Sequence, residues 1–100
     1  MAFRIEYAHE AVGHLAGLSA RQARTVLDVV ERTLKHQPTR PARNRKLLRA
    51  NPLAPWELRI GTLRVYFDVE VEPVPIVTVR AVGVKVRDRV LTAGEEVDLG

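Results

Sequence analysis

The regular alternation of apolar and polar residues between 56 and 71 constrains this chain more than any other feature. The dipeptide Gly61-Thr62 lies in its middle and predicts a tight hairpin between two strands. A two-residue loop at that point places Arg59 directly opposite Arg64. Slipping the register by one residue would turn the apolar side chains towards water, so this pairing is strongly specified.

The two opposed arginines need an explanation, because like charges directly across a ladder destabilise it. In one interpretation they extend into water and Glu57 or Asp68 neutralises them. In the other they form an anion site, since a bound phosphate turns two guanidinium groups into a clamp. The residues alone leave both interpretations open.

The N-terminal third predicts one strand and two helices. Residues 3–7 alternate and indicate a half-buried strand, and residues 8–18 a weak helix. Ser19 and Gln22 have the spacing of a capping box and begin a second helix, which Pro38 ends. Its apolar stripe is formed by Ala23, Val26, Leu27, Val30 and Leu34.

Residues 38–55 form a long basic connection. No Asp or Glu occurs between Arg32 and Trp56. Connections of this length are often functional. Its basic residues are Arg43, Arg45, Lys46 and Arg49, together with Arg40.

The strand after the turn at 72–75 closes the predicted sheet. Its alternation places Val77, Val79 and Ala81 on the core face and Thr78, Arg80 and Val82 on the outer face. The following tail is expected to start as a short helix that Gly94 ends, with residues 93–100 frayed.

These elements predict an α+β fold in one domain spanning residues 1–100. An N-terminal strand and a helical hairpin precede a three-stranded antiparallel meander, and the helices cover one face of a single sheet. The other face would carry Glu57, Arg59, Arg64, Tyr66, Asp68 and Arg80, with Lys85 and Arg87 near the end of the last strand.

Composition excludes several classes of protein. The chain has no cysteine, which excludes disulfides, thiolate zinc sites and thiol nucleophiles. There is no metal-ligand constellation, no signal-peptide pattern and no apolar run approaching ~18 residues. We therefore expect a cytoplasmic protein without a metal, a cofactor or a membrane partner. The net charge of +4, with thirteen of the sixteen basic residues being Arg, favours phosphate binding.

A basic face of this kind could cut RNA without a metal, if the 2′-hydroxyl of the RNA attacks the phosphate. Arg59, Arg64 and Arg80 would clamp the developing charge. Glu57 and Lys85 are the candidate base and acid, and Tyr66 is either a proton donor or a strand aromatic. The histidines His9, His14 and His36 are expected to be surface residues or helix-end cations of the helical half.

Three segments resemble RelE/ParE-type toxins of bacterial toxin–antitoxin modules. They are "LSARQARTVLDVVERTL" (18–34), "RKLLRANPLAPWELRIGTLRVYFDVE" (45–70) and "RAVGVKVRDRV" (80–90). The resemblance implies a toxin that is neutralised by a cognate antitoxin. Many such toxins cleave mRNA in the ribosomal A site, whereas others of the same fold inhibit DNA gyrase.

The resemblance also matches Lys46, Arg59, Arg64, Lys85 and Arg87 to basic positions of such toxins, and the charge of the loop and the outer sheet face adds the other candidates. Arg59, Arg64, Lys85 and Arg87 would be catalytic, and Arg43, Arg45, Lys46, Arg49 and Arg80 would bind RNA or the ribosome. Many nucleases of this type have a tyrosine or histidine after the last strand, and this chain has neither there. We therefore predict an mRNA endonuclease toxin, with a non-cleaving gyrase inhibitor or a non-toxic antitoxin-binding module as alternatives.

Overall fold

In the computed structural model, residues 2–97 are described. Their elements, in chain order, are β1 (Arg4–Tyr7), α1 (His9–Ala16), α2 (Ala20–Thr33), β2 (Arg45–Leu47), β3 (Trp56–Ile60), β4 (Leu63–Glu70), β5 (Ile76–Val86), β6 (Arg89–Thr92) and β7 (Glu95–Val97). The strands form one sheet in the order β2-β3-β4-β5-β6-β7, and β1 pairs in parallel with β5. The predicted α+β fold and the antiparallel meander, β3 to β5, are confirmed. Strands β2, β6 and β7 extend it.

Helix α2 begins with the predicted capping box. The Ser19 hydroxyl accepts a hydrogen bond from the Gln22 backbone N–H, and the Gln22 side chain accepts one from the Ser19 N–H, both at 3.1 Å. Leu27 is not part of the buried stripe and is 43% exposed. It follows Val26, which is buried, and successive helical residues point about 100° apart. The stripe that packs on the sheet is formed by Val26, Val30 and Leu34.

The β3–β4 hairpin has the predicted register. Arg59 pairs with Arg64, and Ile60 pairs with Leu63. Gly61 has a φ of 59°, which suits glycine because it has no Cβ. The apolar residues of both strands consequently face the helices, where Trp56 stacks on Phe67.

A register shift between β4 and β5 overturns part of the predicted alternation. Phe67 pairs with Val79 but Tyr66 pairs with Ala81, so Arg80 is the extra residue of a bulge. Beyond it the side chains change face. The prediction that Ala81 faces the core and Val82 the outer side is wrong: Val82 packs in the core under the helices, and Ala81 packs against Tyr66 on the other face.

The tail forms a hairpin in place of the expected short helix. Arg87, at a φ of 60°, and Asp88 make the two-residue turn from β5 to β6. Ala93 and Gly94, at φ values of 51° and 81°, make the turn from β6 to β7. The frayed segment predicted over 93–100 is therefore paired through Val97, and residues 98–100 lie outside the described part of the chain.

The basic connection is ordered by its own hydrogen bonds. The Asn51 carboxamide oxygen accepts from the N–H groups of Leu53 and Ala54, and its NH₂ donates to the carbonyls of Arg49 and Ala54. The Leu48 N–H donates to the Pro55 carbonyl at 2.7 Å. This closed loop leads into β3 and positions the side chains that approach the outer face of the sheet.

Candidate functional site

A small second core covers the middle of the sheet face that points away from the helices. Its buried residues come from the loop, β4, β5 and β6 and are Ala54, Tyr66, Ala81 and Val90. The partly buried Leu48 and Leu53 pack against them. Gly83 lies beneath it, where an added Cβ would be 2.9 Å from Val90 Cγ1 and 2.8 Å from the Leu91 carbonyl oxygen. The loop therefore seals part of this face and leaves pockets at its borders.

One of these pockets, which we call the basic pocket, has a volume of about 370 Å³. Five cations and two carboxylates contribute to its wall. The lining residues are Lys46, Leu47, Leu48, Arg49, Glu57, Arg59, Arg64, Lys85, Asp88 and Val90.

Arg64 is the most enclosed cation of the basic pocket, with 7% of its surface exposed. Its Nη1 donates to the carbonyl oxygens of Gly61 at 2.7 Å and Leu63 at 2.9 Å. Within residues 2–97 no carboxylate lies at ion-pair distance from Arg64. A buried cation is costly unless it is paired, so the carbonyls orient a guanidinium whose charge is left for an anion to neutralise.

Arg59 has a different environment. Its Nε donates to Glu57 Oε1 at 2.9 Å, and the Tyr66 hydroxyl donates to Glu57 Oε2 at 3.0 Å. Glu57 is 4% exposed and Tyr66 is fully buried. Burial, followed by the adjacent Glu57 carboxylate, raises the pKa of Tyr66 well above its ordinary value. Tyr66 therefore stays protonated, and Glu57 acts as the acceptor that holds Arg59.

The structure brings together five of the predicted site residues and separates the others. Arg80 lies 3.7 Å from Asp68 and lines a different pocket, of about 400 Å³, with Glu10 and His14. Arg87 belongs to the β5–β6 turn. Arg43 and Arg45 do not line the basic pocket. The residues that meet there are Lys46, Arg49, Arg59, Arg64 and Lys85.

Sequence reasoning missed one charged residue of the basic pocket, Asp88. Residues 2–97 provide no ion pair to its carboxylate. The signal was available, since apolar alternation resumes at Val90 after the polar residues 87–89. That pattern fits a two-residue turn, and a turn folds Asp88 back towards the end of β5.

His14 has a structural role. Its Nδ1 accepts a hydrogen bond from the Val82 backbone N–H at 3.2 Å, and this group has no strand partner on that side of β5. Burial lowers the pKa of His14, although Glu10 opposes the shift. His9 and His36 are exposed, as expected. His14 is half-buried and lies in the last turn of α1, but it is not the expected cation, because its Nδ1 accepts a hydrogen bond.

Within residues 2–97, no group of three or more His, Cys, Asp or Glu side chains is placed to hold a metal ion. No helix in the same range is long and apolar enough to cross a membrane.

Comparison with known proteins gives a likeness of fold. No protein-family model matches the chain, and no curated protein gives a significant match. The chain is similar to one chain in the crystal structure of the toxin–antitoxin complex RelBE2 from Mycobacterium tuberculosis, with a TM-score of 0.71 and 21% sequence identity. The match covers 85% of this chain and 100% of that chain. The RelE-like fold that the sequence predicted is thereby confirmed.

Proposed function

We propose that this protein is the toxin of a toxin–antitoxin module and that its basic pocket binds and cleaves mRNA on the ribosome. The fold supports the first part, because the similar chain comes from a toxin–antitoxin complex. A cognate antitoxin is then its protein partner, and the cytoplasm is where it meets the ribosome.

The observation that carries the RNA part is the state of Arg64. A guanidinium that is nearly enclosed, fixed by two carbonyls and unpaired with any carboxylate of residues 2–97 offers a preformed phosphate site. Lys46, Arg49 and Lys85 add charge around it. RNA supplies a row of phosphates to such a surface, and binding of this kind weakens steeply with salt.

The pocket residues suggest a metal-independent cleavage. The 2′-oxygen of the RNA attacks phosphorus, the bond from phosphorus to the 5′-oxygen breaks, and a 2′,3′-cyclic phosphate forms. Arg64 and Arg59 stabilise the charge that develops on the phosphoryl oxygens. Asp88 takes the 2′-hydroxyl proton, because Glu57 already accepts two hydrogen bonds, and the Lys85 ammonium protonates the leaving 5′-oxygen.

A second candidate is a toxin of the same fold that inhibits DNA gyrase without cutting RNA. The hydrogen bond from the Tyr66 hydroxyl to Glu57 favours this gyrase inhibitor, because neither side chain is then available for proton transfer to RNA. The basic pocket also has no histidine among its lining residues within 2–97.

Expression in a bacterial host tests the proposal. The wild-type chain should arrest growth, and mapping of transcript 5′ ends should show cuts within translated codons. Arg64→Ala should abolish both effects, whereas Arg24→Ala, on the exposed side of α2, should retain them. Arrest with intact mRNA and DNA breaks would favour gyrase instead. Harmless expression of the wild-type chain would contradict both candidates.

A further inference from the structure

A second concave surface with positive charge lies on the other side of β2 from the basic pocket. Successive strand residues point to opposite faces. Lys46 therefore lines the basic pocket, while Arg45 points towards the end of α2. The cavity there, which we call the arch pocket, has a volume of about 590 Å³. Its lining residues in the described part of the chain, none of them acidic, are Thr33, His36, Gln37, Arg40, Pro41, Ala42 and Arg45.

Arg45 forms the floor of the arch pocket and is held rigidly. Its Nη1 donates to the carbonyl oxygens of Thr33 at 3.2 Å and Gln37 at 2.8 Å. Its Nε is buried and has no hydrogen-bond partner within residues 2–97. The two carbonyls orient the guanidinium but do not cancel its charge, so Arg45 maintains a positive potential in the cavity.

Arg40 adds a second charge at the rim. Its side chain is exposed, and its Nη1 donates to the neutral Gln37 side-chain oxygen at 3.0 Å. The two cations are close enough to interact: burial lowers the pKa of Arg45, and the charge of Arg40 lowers it further. An anion between them would relieve this repulsion.

The two pockets are joined by the same stretch of chain. Strand β2 is only three residues long and lies at the edge of the sheet. No Asp or Glu occurs between Arg32 and Trp56. A polyanion that occupies the basic pocket can therefore continue around this edge without meeting a carboxylate of the connection.

We propose that the arch pocket binds a backbone phosphate of RNA beyond the nucleotides held in the basic pocket. This inference rests on the RNA binding proposed above and extends it, because it gives the bound RNA a path around β2. Arg40 and Arg45 are the phosphate-binding residues of this second subsite.

Binding of two RNA lengths tests the inference. The probes are single-stranded 2′-O-methyl RNAs, which keep the phosphates but cannot be cut, of about 3 and about 12 nucleotides. Arg40→Gln removes the exposed charge, and Arg24→Gln removes an exposed charge of α2 that lines neither pocket. Arg40→Gln should weaken the longer RNA roughly 3- to 10-fold, lower its salt slope by about 0.7, and leave the shorter RNA unchanged.

Arg64→Ala separates this inference from the proposed function. If it weakens both RNAs while Arg40→Gln behaves like Arg24→Gln on both, the basic pocket binds free RNA and the arch pocket does not hold the message strand. If the wild-type chain binds neither the shorter nor the longer RNA, the proposed function and the inference both fail.

Retention of the protein on ribosomes that carry no mRNA shows whether the phosphate in the arch pocket comes from ribosomal RNA or from the message. If Arg40→Gln lowers retention on vacant ribosomes and leaves the longer free RNA unaffected, the subsite binds ribosomal RNA. If it weakens the longer free RNA, the subsite can hold the message strand. Equal behaviour of the two glutamine variants in both assays overturns the inference.

Discussion

Arg59 and Arg64 lie directly opposite each other across the β3–β4 hairpin, but among residues 2–97 a carboxylate partner is found for Arg59 and not for Arg64. Arg59 is bound by Glu57 at 2.9 Å and is 41% exposed, whereas the nearly enclosed Arg64 contacts carbonyl oxygens. The positive charge of Arg59 is therefore neutralised by Glu57, whereas the positive charge of Arg64 is not neutralised. The net positive charge at the base of the pocket depends on this difference, and Glu57 controls it.

Glu57→Gln should lower stability and raise RNA affinity at the same time. The substitution removes the charge that neutralises Arg59 but can keep an acceptor for Tyr66. We expect a loss of about 1–3 kcal/mol in the free energy of unfolding, because the half-buried Arg59 guanidinium loses its charged acceptor. The pocket gains one positive charge, so a 2′-O-methyl RNA should bind more tightly at low salt and less so at high salt.

Tyr66→Phe is the matched control for that prediction. It removes the hydroxyl that donates to Glu57 but leaves the pocket charge unchanged. Unfolding by denaturant should show a loss of about 1–2 kcal/mol, with RNA affinity within twofold of the wild type. Equal RNA affinities for Glu57→Gln and the wild type would show that Glu57 does not set the charge of the pocket.

The sequence predicted the hairpin register correctly because every large apolar residue of β3 and β4 depends on it. It did not predict the bulge at Arg80, although the valines change there from odd positions, 77 and 79, to even positions, 82, 84 and 86. Ala81 is apolar as well and hides this break, which the pairing of Tyr66 with Ala81 and of Phe67 with Val79 makes plain. Strands β6 and β7 were also not predicted from the sequence. Their turns place Arg87 and Ala93 at positive φ, which arginine and alanine rarely adopt, so these residue types do not indicate a turn.

Prediction of the site succeeded where charge followed strand alternation and failed where a tertiary contact intervened. Arg59 and Arg64 meet as expected, because they pair across the β3–β4 hairpin, whereas Lys85 reaches the same face only because the bulge at Arg80 reverses the alternation of β5. Arg80 was displaced by the bulge, and Arg45 was drawn to the carbonyls at the end of α2. The sequence close to Arg80 and to Arg45 does not predict either position, because each depends on contacts with a distant part of the chain.

Gly83→Ala should destabilise the fold strongly. An added Cβ would lie 2.8 Å from the Leu91 carbonyl oxygen, a backbone atom that cannot move away independently. We expect a loss of about 1–3 kcal/mol, as for other overpacked sites. Gly13→Ala in α1 is the control, since its Cβ would meet no atom within 4 Å. That change should stabilise by about 0.5–1 kcal/mol in the same denaturation assay, and a similar loss at both positions would contradict the packing described here.

The His14 contact should make stability depend on pH. Burial lowers the pKa of His14 in the folded state, so the unfolded chain binds a proton more readily. The stabilisation is complete above pH ~6.5, the ordinary value for histidine, and is lost as the pH falls through the lower folded-state pKa. Denaturation midpoints of the wild type should therefore fall between pH 7.5 and 5.

His14→Asn isolates this contribution. Its side-chain oxygen can accept from the Val82 N–H in place of Nδ1, but it does not titrate. The loss of stability between the two pH values should be smaller for His14→Asn than for the wild type. An equal loss in both proteins would assign the pH dependence to groups other than His14.

Asp88→Asn should abolish cleavage without abolishing binding. Removal of a general base typically lowers the rate 10²- to 10⁴-fold, and we expect about 100-fold in a single-turnover assay on programmed ribosomes. RNA affinity should stay equal or rise, because the pocket loses a negative charge. Asparagine suits turn positions, so the β5–β6 turn should form. Asp28→Asn, an exposed residue of α2, should cleave like the wild type. Full activity of Asp88→Asn, with Arg64→Ala inactive, would keep the phosphate site and reject Asp88 as the base.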